Sequence, residues 1–214
     1  MSDLDLADVE KELSSNGFAV REGDLSDVSL ASLLQRKWKQ TTQKDGVRVS
    51  ALRPMEQEDA PPRTLSAVYG LDAQPLHTDG AHLKKMPDVI VLYAPNPTLT
   101  ATAVWKLGRE YPSALWNGVF TVRGNDGSFL AHALADQRLR FDPVCMSPAD
   151  QLAKEAQAFL GLAPESAHIH EWNAEETLLF IDNRKSLHGR EAVHDPGDAT
   201  SRVLERAVYF METR

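Results

Sequence analysis

Residues 177–193 read TLLFIDNRKSLHGREAV. The apolar run from Thr177 to Ile181 has the length of a buried strand. Asp182-Asn183 is a turn, and the chain resumes as a second strand carrying His188. The same grammar, short strands between turn signals, extends in both directions. Upstream it predicts strands at 64–69, 75–79, 88–94, 102–107, 119–123, 128–133, 137–141 and 167–172. Downstream it predicts one at 203–210, and the second strand of the opening stretch spans 186–193. Asn125-Asp126-Gly127 between two of these runs is a strong hairpin turn. So many short strands in 214 residues predict a mainly β fold with flanking helices, a barrel or a two-sheet jelly roll.

Helical spacing is confined to a few places. Leu4, Leu6, Val9 and Leu13 predict a first helix that Gly17 ends, followed by a short strand at Gly17-Phe18-Ala19-Val20. Ser26, with Asp27 in the first turn, is the expected N-cap of a second helix running through Leu33-Leu34 to Trp38. Two more helices are expected at 110–116 and 148–162, the latter with Leu152, Ala156, Phe159 and Leu160 on one side. Residues 53–63 hold three prolines and an acidic cluster and predict no regular element. The whole chain, 1–214, reads as a single domain: an α/β lead-in and candidate lid at 1–63, and the β core at 64–214.

Composition narrows the function. The chain has 23 Lys+Arg against 31 Asp+Glu, a net charge of −8, and its basic residues are scattered. That argues against nucleic acid or an anionic membrane as partner and leaves a small molecule as the expected one, compatible with a homo-oligomer. No apolar run approaches ~18 residues, the length of a membrane span. The acidic, amphipathic N-terminus is unlike a signal or transit peptide. Cys145 is the single cysteine, so no internal disulfide or cysteine-rich metal site is expected, and a reducing cytoplasm is the natural setting. Dinucleotide, P-loop and nucleophile-elbow motifs are absent.

Chemistry enters with Pro75-Leu76-His77-Thr78-Asp79-Gly80. If this segment ends a strand, residues two apart share a face, and His77 and Asp79 offer an imidazole nitrogen and a carboxylate to one point. Two histidines and one carboxylate on one face, with the other face open, are the ligand set of many ferrous oxygenases. His188 is the best third ligand. In SRVLERAVYF, residues 201–210, strand alternation places Arg202 and Arg206 on one face with Leu204, Val208 and Phe210. A guanidinium in an apolar setting needs an anion, and its planar fork suits a carboxylate. An internal Glu or Asp would serve as well as a ligand.

HTDG, the distal DNRKSLHGR and arginines 14 and 18 residues after His188 together resemble the iron(II)- and 2-oxoglutarate-dependent dioxygenases of the taurine dioxygenase and clavaminate synthase-like group, over roughly 71–210. The resemblance implies a double-stranded β-helix (jelly roll). It implies Fe(II) held by His77, Asp79 and His188, with 2-oxoglutarate and O2 as cosubstrates. Arg202 would take the distal carboxylate of 2-oxoglutarate and Arg206 an acidic group of the substrate. The family's strand threonine falls on Thr102, with Thr100 the neighbouring candidate. The implied reaction is hydroxylation of an unactivated C–H bond of a small acidic or amino-acid-like metabolite, with desaturation or cyclisation as variants. Halogenating relatives lack the carboxylate that Asp79 supplies. Two other classes stay open: a cupin-like metalloprotein using His168 and His170 of AHIHEW, and a non-catalytic jelly-roll binding protein.

Overall fold

Carboxylates start the first helices. Asp5 accepts the backbone N–H of Ala7 at 2.8 Å and opens α1 (Leu6–Asn16), which Gly17 closes in the left-handed conformation at φ 87°. The chain turns directly into β1 (Phe18–Glu22). Asp24, not the expected Ser26, caps α2 (Leu25–Gln35): its side chain accepts from Ser26 and Asp27 N–H, and Asp27 returns the bond to the Asp24 N–H. Arg36 at φ 50° ends this helix, so Trp38 lies not on it but on β2 (Trp38–Gln40). The computed structural model describes residues 4–42 and 46–212.

The remaining elements in chain order are β3 (Val49–Leu52), α3 (Leu65–Tyr69), β4 (Val89–Ala94), β5 (Thr98–Lys106), α4 (Ala114–Asn117), β6 (Phe120–Gly124), β7 (Gly127–Ala131), β8 (Leu134–Ala135), β9 (Arg138–Leu139), β10 (Met146–Pro148), α5 (Gln151–Gly161), β11 (His168–Trp172), β12 (Thr177–Asp182), β13 (Ser186–Arg190), α6 (Pro196–Ser201) and β14 (Leu204–Met211). Every named strand pair is antiparallel. The fold is thus mainly antiparallel β with flanking helices.

The largest sheet runs β1-β12-β4-β14-β2, with β3 also on β14. One face, through Val89, Val91, Leu178, Phe180, Ala207 and Tyr209, packs on α1 and α2. The other, through Ile90, Leu92, Leu179, Ile181 and Leu204, packs on Val104 and Trp172 of the sheet β11-β5-β13. β12 is therefore buried at every position, which is why TLLFID lacks the alternation of a half-exposed strand. The far face of the second sheet, with Ala103 and Leu187, is covered by α4, α5 and the β6-β7-β10 sheet. The facing sides of the two sheets thus meet in the middle, each sheet backed by its own outer layer.

Several sequence expectations shift. The strand expected at 64–69 is α3, because the Thr64 hydroxyl caps the Ala67 N–H at 3.2 Å. Residues 75–79 make a single antiparallel bridge, His77 with His188, not a strand. The helix expected at 110–116 shrinks to α4, since Pro112 disfavours helical geometry at Tyr111. The strand at 137–141 shrinks to β9, and the hairpin at Asn125-Asp126 closes with Gly124 opposite Gly127. The helix expected from residue 148 begins at Gln151, where Asp150 accepts Ala153 N–H at 2.6 Å and Val119 N–H at 3.0 Å. Asp150→Ala is expected to cost about 1–2 kcal/mol, read as a lowered urea midpoint with unchanged slope. Among the described residues no helix is long and apolar enough to cross a membrane.

Candidate metal centre

Gly189 lets the H-x-D segment reach β13. A Cβ there would lie 2.6 Å from the Gln74 carbonyl, so only glycine allows this approach. Residues 74–77 then line the edge of β13: Gln74 N–H donates to Arg190 at 2.8 Å, and His77 and His188 exchange both backbone bonds at 2.9 Å. Arg190 Nη2 holds the approach by donating to the Gly70 and Asp72 carbonyls, each at 2.7 Å. Thr78 is pinned between the Phe141 backbone groups.

Asp79 is fixed by a residue that sequence reading passed over. The fully buried Asn183 accepts Asp79 N–H at 2.8 Å and donates to the Asp79 and Pro87 carbonyls at 3.0 Å. The sequence marks Asn183 only as half of a turn, and a clamp across 104 residues leaves no local signal.

The three side chains meet. Asp79 Oδ1 lies 3.5 Å from His77 Nε2 and 3.7 Å from His188 Nε2, and all three residues are no more than 8% exposed. Their ligand atoms lie within 4.8 Å of one another, the one such His/Cys/Asp/Glu group among the described residues. His77 Nδ1 faces the Pro75 carbonyl at 3.0 Å; donating there, it leaves the Nε2 lone pair for a metal. Metal bonds to nitrogen and oxygen run about 2.0–2.2 Å, so two donors to one ion lie at most about 4.4 Å apart, and both carboxylate–imidazole separations fall inside that span. The donor set, two neutral nitrogens and one carboxylate oxygen, fits a ferrous ion.

Burial alone would raise the Asp79 pKa. The Arg206 guanidinium and the two imidazoles overcome that and hold it well below the usual carboxylate range. Burial also opposes charge on both imidazoles; Asp79 outweighs it at His77, which is raised, but not at His188, which is lowered. Arg206 Nη1 donates to Asp79 Oδ2 at 2.8 Å, leaving Oδ1 to the histidines. The expected substrate contact is thus paired with an internal acid, and its buried Nε has no partner among the described residues.

Arg202 is placed differently from expectation. It is the C-cap of α6, in extended conformation just before β14 rather than on it. Its side chain is buried, its Nη2 reaches only the Thr100 carbonyl at 3.4 Å, and its Nε has no partner among the described residues. Burial, with Arg190 adding repulsion that Asp198 partly offsets, pushes its pKa down to about 10. Asp198 is itself engaged, accepting from Thr98 Oγ1, Thr100 N–H and Thr100 Oγ1 at 2.6–2.7 Å. The Thr100 hydroxyl proton is therefore spent. The Thr102 hydroxyl instead accepts the Trp172 indole N–H at 3.1 Å and keeps its own proton to donate.

The alternative pair, His168 and His170, belongs to no cluster of three or more such ligands among the described residues. His168 is exposed and stacked on Phe18 at 4.4 Å between centroids, whereas His170 is buried. A cavity of about 800 Å³ elsewhere is lined by residues that include Lys85, Phe129, Arg138, Arg140 and Phe210, and by none of the three converging ligands.

No protein-family model matches the chain, and no curated protein matches it. Solved structures do. An asparagine oxygenase in complex with Fe(II), 2S,3S-3-hydroxyasparagine and succinate superposes with TM-score 0.70 at 19% identity, over 96% of this chain and 77% of that one. The non-heme iron oxygenase OrfP, in complex with Fe and alpha-ketoglutaric acid, gives 0.66 at 22% identity over 94% and 77%. PvcB from Pseudomonas aeruginosa gives 0.67 at 19% identity over 96% and 80%. The chain shares the fold of these proteins.

Proposed function

We propose that this chain is an iron(II)- and 2-oxoglutarate-dependent oxygenase of the taurine dioxygenase and clavaminate synthase-like group, one cytoplasmic domain on a double-stranded β-helix. In this reading His77, Asp79 and His188 hold the iron. The carrying observation is their convergence, together with a buried arginine whose Nε has no hydrogen-bond partner among the described residues. Bound iron would supply the activation of O2, coupled to decarboxylation of 2-oxoglutarate to succinate and CO2 and to oxidation of a C–H bond. The protein's own share is placement and exclusion of water.

Asn183 and Gly189 set the ligand-bearing backbones, and Arg206 fixes the carboxylate rotamer through Oδ2. Arg202 and Thr102 supply the charge and the hydroxyl for the distal carboxylate of 2-oxoglutarate. Asp79 fills the position that chloride would need, which favours hydroxylation over halogenation. With a dication and Arg190, Arg202 and Arg206 charged, Asp79, Asp198 and the two carboxylates of 2-oxoglutarate leave one positive charge in excess. That excess favours a substrate bearing an acid. The asparagine- and arginine-derived ligands of the neighbouring structures support an amino-acid-like substrate.

The test is succinate release from 2-oxoglutarate, screened over amino acids and related acids, free and carrier-tethered, with product mass. At least one substrate should give a product heavier by one oxygen in step with succinate. Folded, iron-loaded protein that releases no succinate with any of them would sink the reading.

A further inference from the structure

We infer that His170 is part of the cosubstrate site, donating from Nε2 to the distal carboxylate of 2-oxoglutarate beside Arg202 and Thr102; this rests on the function proposed above. The sheet register carries it. On the face turned toward the larger sheet, His188 of β13 lies opposite Val104 of β5. One step further along, Thr102 is flanked directly by Arg190 on β13 and by His170 on β11. That step of two residues is about 7 Å, on the scale of a five-carbon diacid lying along β5. A keto-acid end at the His188 row therefore sets the far carboxylate at the Thr102 row.

In that second row partners are missing. His170 Nε2, Arg202 Nε and Arg190 Nε are all buried with no hydrogen-bond partner among the described residues. A buried polar atom left unpaired is rare and costly, and two beside Thr102 with a third on a side chain that reaches the neighbouring Thr100 call for an anion. His170 is 8% exposed and held edge-on against Trp172, ring centroids 4.4 Å apart. Trp172 in turn donates to Thr102 Oγ1, so one tryptophan orients both neutral donors. Burial lowers the His170 pKa, so near neutral pH it offers a single N–H. It recognises the carboxylate without adding another cation beside Arg190 and Arg202.

The experiment compares two keto acids bound to the anaerobic Fe(II)-loaded protein by calorimetry. 2-Oxoglutarate has the distal carboxylate; 2-oxopentanoate ends in a methyl group instead. His170→Leu is expected to weaken 2-oxoglutarate about 10- to 100-fold, the range for a hydrogen bond to a charged group. It should leave 2-oxopentanoate and Fe(II) affinities unchanged, and His170→Gln should recover most of the loss. If the leucine variant does not fold, His170→Phe, which keeps ring volume against Trp172, is read the same way. Equal weakening of both keto acids, or undiminished 2-oxoglutarate binding, would overturn the assignment. Wild-type protein that binds no 2-oxoglutarate would instead overturn the proposed function, and this inference with it.

Discussion

His188→Ala is expected to lower Fe(II) affinity by at least about 100-fold while leaving the fold intact. Loss even of a group supporting a metal ligand costs 10- to 100-fold, and here a ligand itself goes. The variant is clean for a structural reason: His188 Nδ1 already lacks a partner, so removing the ring strands no hydrogen-bonded neighbour there. Asp79→Ala should abolish iron binding too, but by a less clean route. It leaves the half-buried Arg206 guanidinium without its carboxylate, which destabilises the fold, though by less than the ~3–5 kcal/mol of a fully buried pair broken from one side. Anaerobic calorimetry with Fe(II), alongside thermal melts of the metal-free proteins, separates the two. His188→Ala should melt close to wild type and Asp79→Ala well below it. Wild-type iron affinity in folded His188→Ala would remove this histidine from the site.

Arg202→Met should have the second largest effect, and with opposite signs on binding and stability. Arg202 is 6% exposed and its guanidinium holds one long contact at 3.4 Å, so its burial is poorly compensated in the ligand-free protein. Methionine fills similar space without the charge, so the ligand-free variant is expected to be as stable as wild type or more stable by about 1–3 kcal/mol. Its 2-oxoglutarate affinity should fall at least about 100-fold, because a charge-assisted bidentate contact is lost. Fe(II) affinity should not change. In melting curves, the rise that 2-oxoglutarate gives iron-loaded wild type should be missing from the variant. A variant that keeps the rise would show that Arg202 faces something else.

The parts of the fold legible in sequence are those that local pattern dictates. TLLFI is buried at every position, and LLFI apolar at every one, because helices cover one face of its sheet and the second sheet covers the other. His77, Asp79 and His188 could be singled out by residue type and spacing, although 75–79 makes only one bridge. What the sequence did not disclose depends on register between distant segments. The pairing of Arg206 with Asp79 spans 127 residues, and the Asn183 clamp spans 104. His170 reads as one of two equivalent sheet histidines until its register with Thr102 separates it from the exposed His168, which stacks on Phe18. Local misreadings came from side chains with two uses. Thr64 suits a strand but caps a helix, and Asp24 precedes the serine that looks like a cap.

The most direct measurement is the visible spectrum of the anaerobic wild-type protein given Fe(II) and 2-oxoglutarate separately and together. A weak charge-transfer band should appear only when both are present, saturate at one equivalent of each, and be absent in His188→Ala but retained in His168→Ala. Folded wild-type protein that shows no band with both present, or a band that survives unchanged in His188→Ala, would contradict iron held by His77, Asp79 and His188.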